Sequence, residues 1–215
     1  MAAGVLIAVL SVACDTAPTS TTSGATGSEA TEEFTGPAAL ELLFGPWRPE
    51  PIPLWPALLQ VVAQTCARSM QPFPPAPIIA VDARGEGRLQ ALFAGPGGVA
   101  MCTDMTIAPD GRVEAAGGGM TSVGPDAQPV VGAAQLRSAG LASSSDAAGR
   151  VTSSIISGQA GQGIARVVVE MPGRQRMTAT LSQGWYVFWF PDAIPAGTRV
   201  IGLDVLGAAI AESDP

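Results

Sequence analysis

The feature that most constrains the fold is a series of short apolar runs, separated by glycine-containing turns, that begins at Ile78. The first three runs are residues 78–83, 88–94 and 99–107, and Asp110-Gly111 offers a further turn after them. Short apolar runs with this punctuation are typical of β-hairpins. The pattern therefore predicts a three-stranded or four-stranded antiparallel meander.

A helical pattern precedes the first of these runs. Its apolar residues recur at the i, i+3, i+4, i+7 spacing of one helix face, and Pro56 suits a first turn. The residues of this face are Trp55, Leu58, Leu59, Val62, Ala63 and Cys66. The proline-rich residues 71–77 end the helix, and the proline-rich residues 37–53 are interpreted as an irregular arm.

Five further strands are predicted in the last third of the chain, where they could form a small sandwich of their own. They are residues 151–157, 164–170, 176–181, 184–191 and 198–206. The small and weakly patterned residues 117–149 are predicted to form a long loop, which is functional or divides two halves. Residues 37–215 are interpreted as one domain. Its predicted fold class is α+β, mostly antiparallel β, meander-like or sandwich-like, with one disulfide-stapled helix.

The amino-acid composition argues against several classes of function. The net charge is −7, and the arginines form no basic stripe, so no nucleic-acid partner is predicted. Histidine is absent, which excludes Ser-His-Asp and Cys-His catalysis within this chain and removes the commonest metal ligand. Residues 158–163 lack the glycine order of a dinucleotide fingerprint and are predicted to be a turn. No catalytic residue, no metal site and no cofactor are predicted.

The N-terminal residues form an apolar run that ends in small residues before Cys14. The run is too short to span a bilayer as a helix, but it has the length of a signal-peptide core. Residues 10–14, Leu-Ser-Val-Ala-Cys, resemble the lipobox of bacterial lipoproteins. The resemblance implies cleavage behind Ala13 and a diacylglyceryl thioether on Cys14, with palmitate as an attached acyl chain. The alternative interpretation is a buried N-terminal strand.

Residues 15–36 form a Ser/Thr/Gly-rich tract with a small cluster of glutamates. Such a tract cannot bury enough apolar surface to offset the entropy lost on ordering, so a disordered tether is predicted. An apolar leader, a cysteine and a polar tether are the layout that a lipid-anchored domain requires.

The three cysteines agree with a lipid-anchored protein outside the cytoplasm. If Cys14 carries lipid, Cys66 and Cys102 remain as a pair, and pairing is the default in an oxidising compartment. The predicted disulfide would pin the helix onto a strand and stabilise the fold by roughly 4 kcal/mol in the chain-entropy model. The alternative is two separate buried thiols.

The strand at residues 184–191 is apolar on both faces. Trp185 and Trp189 lie on one face, while Tyr186 and Phe188 lie on the other. A strand of this kind is usually central and buried. The alternative exposes one row as a stacking platform for a sugar, a peptide or a lipid. These four residues are therefore the candidate binding surface.

Four short sequence elements of the C-terminal part carry a second resemblance. They are the glycine-punctuated residues 158–170, Met177-Thr-Ala-Thr180, Gly184-Trp185 with Trp189 and Pro191, and Gly202-Leu-Asp204. In these elements residues 151–207 resemble a segment of uncharacterised exported or membrane-tethered actinobacterial proteins. The resemblance implies β structure and an extracytoplasmic location, and it implies no activity.

The leading functional hypothesis is a non-catalytic binding or interaction module of the cell envelope. We expect it on the extracytoplasmic face of the cell membrane through its lipid anchor, with secretion as the alternative. Its partner would be an envelope protein, a glycan or a small ligand. The other hypotheses are an enzyme that acts on envelope polymers through paired carboxylates, and a structural envelope protein or inhibitor.

The N-terminal predictions can be tested by mass spectrometry of the native protein, taken unreduced from its membrane fraction. We expect a chain that begins at Cys14, carries lipid, and is lighter than the free-thiol form by the mass of two hydrogens. An unlipidated chain that retains Met1 and three free thiols would contradict both the anchor and the export argument.

Overall fold

The computed structural model describes residues 37–69, 77–95, 98–121, 132–174 and 176–215, and in them two helices precede twelve strands. The helices are α1 (Pro37–Phe44) and α2 (Pro56–Ser69). The first strands are β1 (Ile78–Ala83), β2 (Arg88–Gly95), β3 (Gly98–Ile107), β4 (Val113–Thr121), β5 (Leu136–Ser145) and β6 (Val151–Ala160). The remaining strands are β7 (Arg166–Glu170), β8 (Met177–Thr178), β9 (Thr180–Ser182), β10 (Trp185–Phe190), β11 (Arg199–Leu203) and β12 (Ala209–Ser213).

The described strands form three four-stranded antiparallel sheets. Sheet A has the order β1-β2-β3-β4, sheet B has the order β5-β6-β10-β9, and sheet C has the order β12-β11-β7-β8. Sheet A is the sequential meander that the sequence predicts. The described residues belong to one compact unit, Glu33–Pro215. The mostly antiparallel, sandwich-like fold class is therefore confirmed in outline.

The helices cover one face of sheet A. Leu58, Val62 and Cys66 of α2 are buried against Leu89 and Met105 of the sheet, in the register that the helical spacing predicts. The predicted disulfide is confirmed, and it joins Cys66 to Cys102 of β3 with their Cα atoms 5.9 Å apart. Neither described helix has the length and apolar character needed to cross a bilayer.

Sheet B lies between sheets A and C, and its central strands β6 and β10 are largely buried on both faces. Trp185, Val187 and Trp189 of β10 pack against sheet A, in a cluster that includes Leu92 and Met101. The alternate residues of β10 pack against sheet C, together with Val167 and Val169 of β7. This two-sided burial is the central-strand arrangement that an apolar strand without polar alternation favours.

Two predictions about the first half of the described chain need correction. Residues 37–44 are not irregular but form α1, because Pro37 occupies a first helical position and good helix formers follow it. Residues 117–149 are not one long loop, because β4 extends to Thr121 and β5 covers Leu136–Ser145. Their glycines and serines have little β propensity, and pairing with β3 and β6 makes these segments strands. Residues 1–36, including Cys14 and the predicted tether, lie outside the described residues.

Removal of the disulfide tests its contribution to stability. We expect Cys66→Ala/Cys102→Ala to lower the free energy of unfolding by roughly 4 kcal/mol, because the unfolded chain gains the freedom of a loop closed across 36 positions. Urea unfolding would measure the change, with Cys14→Ser as the control. Equal urea midpoints for the parent and the double variant would contradict the prediction.

Candidate functional site

The four aromatic residues that the sequence offers as a binding surface are all buried. Trp185 is 7% exposed, and Tyr186, Phe188 and Trp189 are 0% exposed. Their strand lies between β6 and β9, with a sheet on each face, so none of them can stack a ligand in this structure. The interpretation as a central buried strand is confirmed, and the exposed platform is wrong.

Tyr186 also lacks the properties of an acid-base group. Burial raises the pKa of Tyr186 to about 12, and the nearby Ser213 hydroxyl opposes this shift. The phenol is therefore neutral near pH 7. Gly158 leaves room for the phenol, because a Cβ on Gly158 would lie 2.3 Å from the Tyr186 oxygen. The residue fills the core between sheets B and C.

An open groove of about 520 Å³ lies between β1, β9 and the segment that leads into α2. Its lining residues are Pro51, Ile52, Pro53, Leu54, Leu59, Ile78, Ile79, Ala80, Val81, Thr180, Ser182 and Gln183. Most of them are apolar, and none carries a charge. The sequence did not predict this groove, because its walls come from segments that are far apart in the chain.

One wall of the groove is an open sheet edge. β1 is the edge strand of sheet A, and the Ala83 carbonyl accepts a hydrogen bond from the Ile52 amide at 2.7 Å. Backbone groups of a strand alternate between its two sides, so those of Val81 also point away from β2. The segment around Ile52 forms no strand, so it does not pair along the length of β1.

The opposite wall is the edge of sheet B. β9 and β10 are joined through Gln183 and Gly184, whose φ angles of 50° and 75° suit a two-residue hairpin turn. Ser182 pairs with Trp185 across this turn, so the backbone of Leu181 points away from β10. Two strand edges with unpaired backbone groups therefore border one apolar groove, as far as the described residues extend.

A buried ion pair holds the two walls together. Asp82 of β1 and Arg84 are both 0% exposed, and their side chains are joined by hydrogen bonds of 2.7 and 3.0 Å. Asp82 also accepts hydrogen bonds from the Thr180 hydroxyl of β9 and from the Trp189 amide of β10, each at 2.7 Å. Because β9 begins at Thr180 and pairs with β10 only as far as Val187, the Asp82 carboxylate takes the place of a strand neighbour for the Trp189 amide.

The Arg84 guanidinium is satisfied by the same surroundings. It donates to the carbonyl oxygens of Pro49 and Thr178, and it lies 4.4 Å from the ring centroid of Phe188. Gly85 follows it with a φ angle of 109°, where a Cβ would lie 2.5 Å from the Pro46 oxygen. The sequence feature that could have indicated this ion pair is an aspartate and an arginine two residues apart in an apolar segment.

A second polar cluster joins sheets A and B through Asp104. This residue has a φ angle of 53°, and its carboxylate accepts hydrogen bonds from Ser144 at 2.6 Å and from Ser153 at 3.3 Å. Its amide donates to the side-chain oxygen of Gln90, whose buried amide nitrogen has no partner among the described residues. Positive φ at a non-glycine residue costs energy, and the side-chain bonds offset that cost.

Several other aspartates serve their local backbone. Asp110, Asp146 and Asp204 each accept a hydrogen bond from an amide two residues further along the chain. Asp192 accepts from the next amide. Asp126 lies outside the described residues. The described chain brings together no group of three or more His, Cys, Asp or Glu side chains suited to a metal ion.

A smaller depression of about 310 Å³ lies beside the end of β7 and carries several charges. Glu170 forms ion pairs there with Arg176 at 2.7 Å and with Arg199. Hydrogen bonds from Arg176 and then Arg199 lower the pKa of Glu170, so its carboxylate stays ionised at neutral pH. The two arginines are therefore already neutralised in part.

Comparison of the chain with protein-family models, curated proteins and solved structures finds no match.

Replacement of Asp82 tests the ion pair that holds the groove. We expect Asp82→Asn to lower the free energy of unfolding by roughly 3–5 kcal/mol, because Arg84 would remain buried without its counter-charge. Urea unfolding measures the change. Asp110→Asn, which breaks the exposed pair with Arg112, is the matched control and should leave the urea midpoint unchanged. Similar midpoints for both variants would show that the pair at Asp82 is not needed.

Proposed function

We propose that this protein is a membrane-tethered, extracytoplasmic binding module of the cell envelope that performs no chemical step. The observation that carries the proposal is the apolar groove between the edges of β1 and β9. Its ligand would be an extended, uncharged polypeptide segment that adds to the edge of β1. This mode of recognition uses backbone hydrogen bonds for affinity and side-chain pockets for specificity.

The groove has the chemistry that such a segment requires. The outward backbone groups of Val81 supply a donor and an acceptor on one wall, and Ser182 and Gln183 supply polar groups on the opposite wall. Pro51, Pro53 and Leu54 supply apolar contacts between them. The chain has a net charge of −7, yet the groove itself is uncharged, so a charged ligand would lose its solvation without gaining a counter-charge.

The proposed location rests on different observations. The Cys66–Cys102 disulfide supports an oxidising compartment, because such bonds are rare in reducing ones. The apolar leader and Cys14 support a lipid anchor on the outer face of the cell membrane, with secretion as the alternative. An envelope protein with an accessible extended segment is then the partner we propose.

The competing hypotheses receive less support. A polymer-acting enzyme with paired carboxylates needs two acidic side chains in a cleft, and no acidic residue lines the groove. A structural protein or inhibitor agrees with the burial of Trp185 and Trp189, but it gives no reason for an open groove bordered by two strand edges. Among these hypotheses, the binding module therefore has the most support.

A peptide titration tests the groove in the absence of lipid. The probe is a blocked heptapeptide of alternating threonine and valine, which is uncharged and favours an extended backbone. We expect saturable binding together with slower hydrogen exchange at the amide of Val81. N-methylation of the peptide amides should abolish binding, because the side chains remain while the edge hydrogen bonds are lost.

A matched pair of variants localises the binding. Ser182→Glu places a charge in the groove and should weaken binding at least about tenfold, because an apolar peptide would leave that charge poorly solvated. Ser145→Glu makes the same change at the end of β5, the other edge strand of sheet B, and should leave affinity unchanged. Equal affinities for the two variants, or equal binding of the N-methylated peptide, would contradict the proposal.

A further inference from the structure

The turn between β11 and β12 presents two large apolar side chains to solvent. Val205 is 85% exposed and Leu206 is 89% exposed. The next most exposed large apolar side chain among the described residues is Leu141, at 48%. We call residues 204–208 the β11–β12 tip. Single exposed apolar residues are common, but two adjacent ones at the end of a hairpin need a reason.

The turn itself does not require apolar residues. The same five-residue turn occurs three times, at residues 108–112, 146–150 and 204–208. In each, the amide of the first residue donates to the carbonyl of the fifth, and the amide of the fourth donates to the carbonyl of the first. The fourth residue is in each case a glycine with a φ angle near 80°. The second and third residues are Pro109-Asp110, Ala147-Ala148 and Val205-Leu206. Folding therefore accepts small or polar residues at these two positions.

Four of the five backbone amides of the β11–β12 tip, those of Asp204, Leu206, Gly207 and Ala208, are hydrogen-bonded within the tip. Asp204 donates its amide to the Ala208 carbonyl, and its side chain accepts from the amides of Leu206 and Ala208, each at 2.9 Å. Gly207 donates its amide to the Asp204 carbonyl. Amide groups that are already bonded can enter an apolar medium at a small cost, whereas unpaired ones cannot.

We propose that the β11–β12 tip inserts Val205 and Leu206 into the acyl boundary of a lipid bilayer. Two side chains are far too small a surface for a stable protein interface, which buries about 800 Å² on each partner. Bilayer insertion needs apolar area but no complementary partner surface, and it adds to the effect of a lipid anchor. Arg166 is exposed beside Gly207 and forms no ion pair with a described carboxylate, so it can bind a lipid phosphate.

The inference rests on the proposed tether for access to the membrane. Cys14 precedes the first residue of α1 by 23 positions, which limits the distance from the anchor to that helix to about 80 Å. An anchored domain is thus held near the bilayer at high effective concentration.

The test introduces one tryptophan into the full chain and asks whether lipid acyl chains reach it. The variants are Leu206→Trp and the matched control Ala148→Trp, which occupies the same position of the same turn in the β5–β6 hairpin. Each is mixed with phosphatidylcholine vesicles whose acyl chains carry bromine, which quenches tryptophan on contact. Fluorescence of the parent chain is subtracted, because it contains four tryptophans.

We expect quenching and a blue shift for the tryptophan at position 206, and neither for the tryptophan at position 148. The change Val205→Ser/Leu206→Ser should lower vesicle partitioning about tenfold or more. Equal signals at positions 206 and 148 would overturn the proposal. Concentration-dependent protection of position 206 without vesicles would also overturn it, because a second copy would then cover the tip. The peptide titration contains no lipid, so failure of either proposal is visible separately.

Discussion

The groove and the sheet packing depend on the buried ion pair between Asp82 and Arg84. Removal of two charges from water is costly, and the cost is recovered only where every donor and acceptor finds a partner. Here Asp82 bonds Thr180 and Trp189, while Arg84 bonds Pro49 and Thr178 and lies over an aromatic ring. One pair thus joins β1, β8, β9, β10 and the segment before α2.

The edge of β1 beside this pair is open. Ile52 bonds the end of β1, but the segment around Ile52 forms no strand and does not extend along β1. Exposed strand edges invite pairing with other chains, and most proteins cover or charge them. The edge of β1 is open, lines an uncharged groove and is bordered by a second edge, and this arrangement supports the proposed binding of an extended segment.

Local patterns predicted the elements better than their arrangement. The spacing around Val62 located α2, and the two-sided apolar pattern of β10 indicated a central strand, because both signals lie within a few residues. β5 was missed, since its serines and alanines have little preference for a strand and depend on β6 for pairing. The groove and the bonds of Asp82 join residues that are about 100 positions apart, and no local pattern encodes such contacts.

Directional bonds rather than apolar packing set the width of the groove. The contacts of Leu92 and Met101 with sheet B are non-directional, and they would tolerate a small slide of one sheet over the other. The carboxylates of Asp82 and Asp104 oppose such a slide, because Asp82 bonds the backbone of β10 and Asp104 bonds serines of β5 and β6. The walls of the groove belong to different sheets, so these two links fix the distance between the edges of β1 and β9. A preformed distance of this kind lowers the entropy cost of accepting a strand.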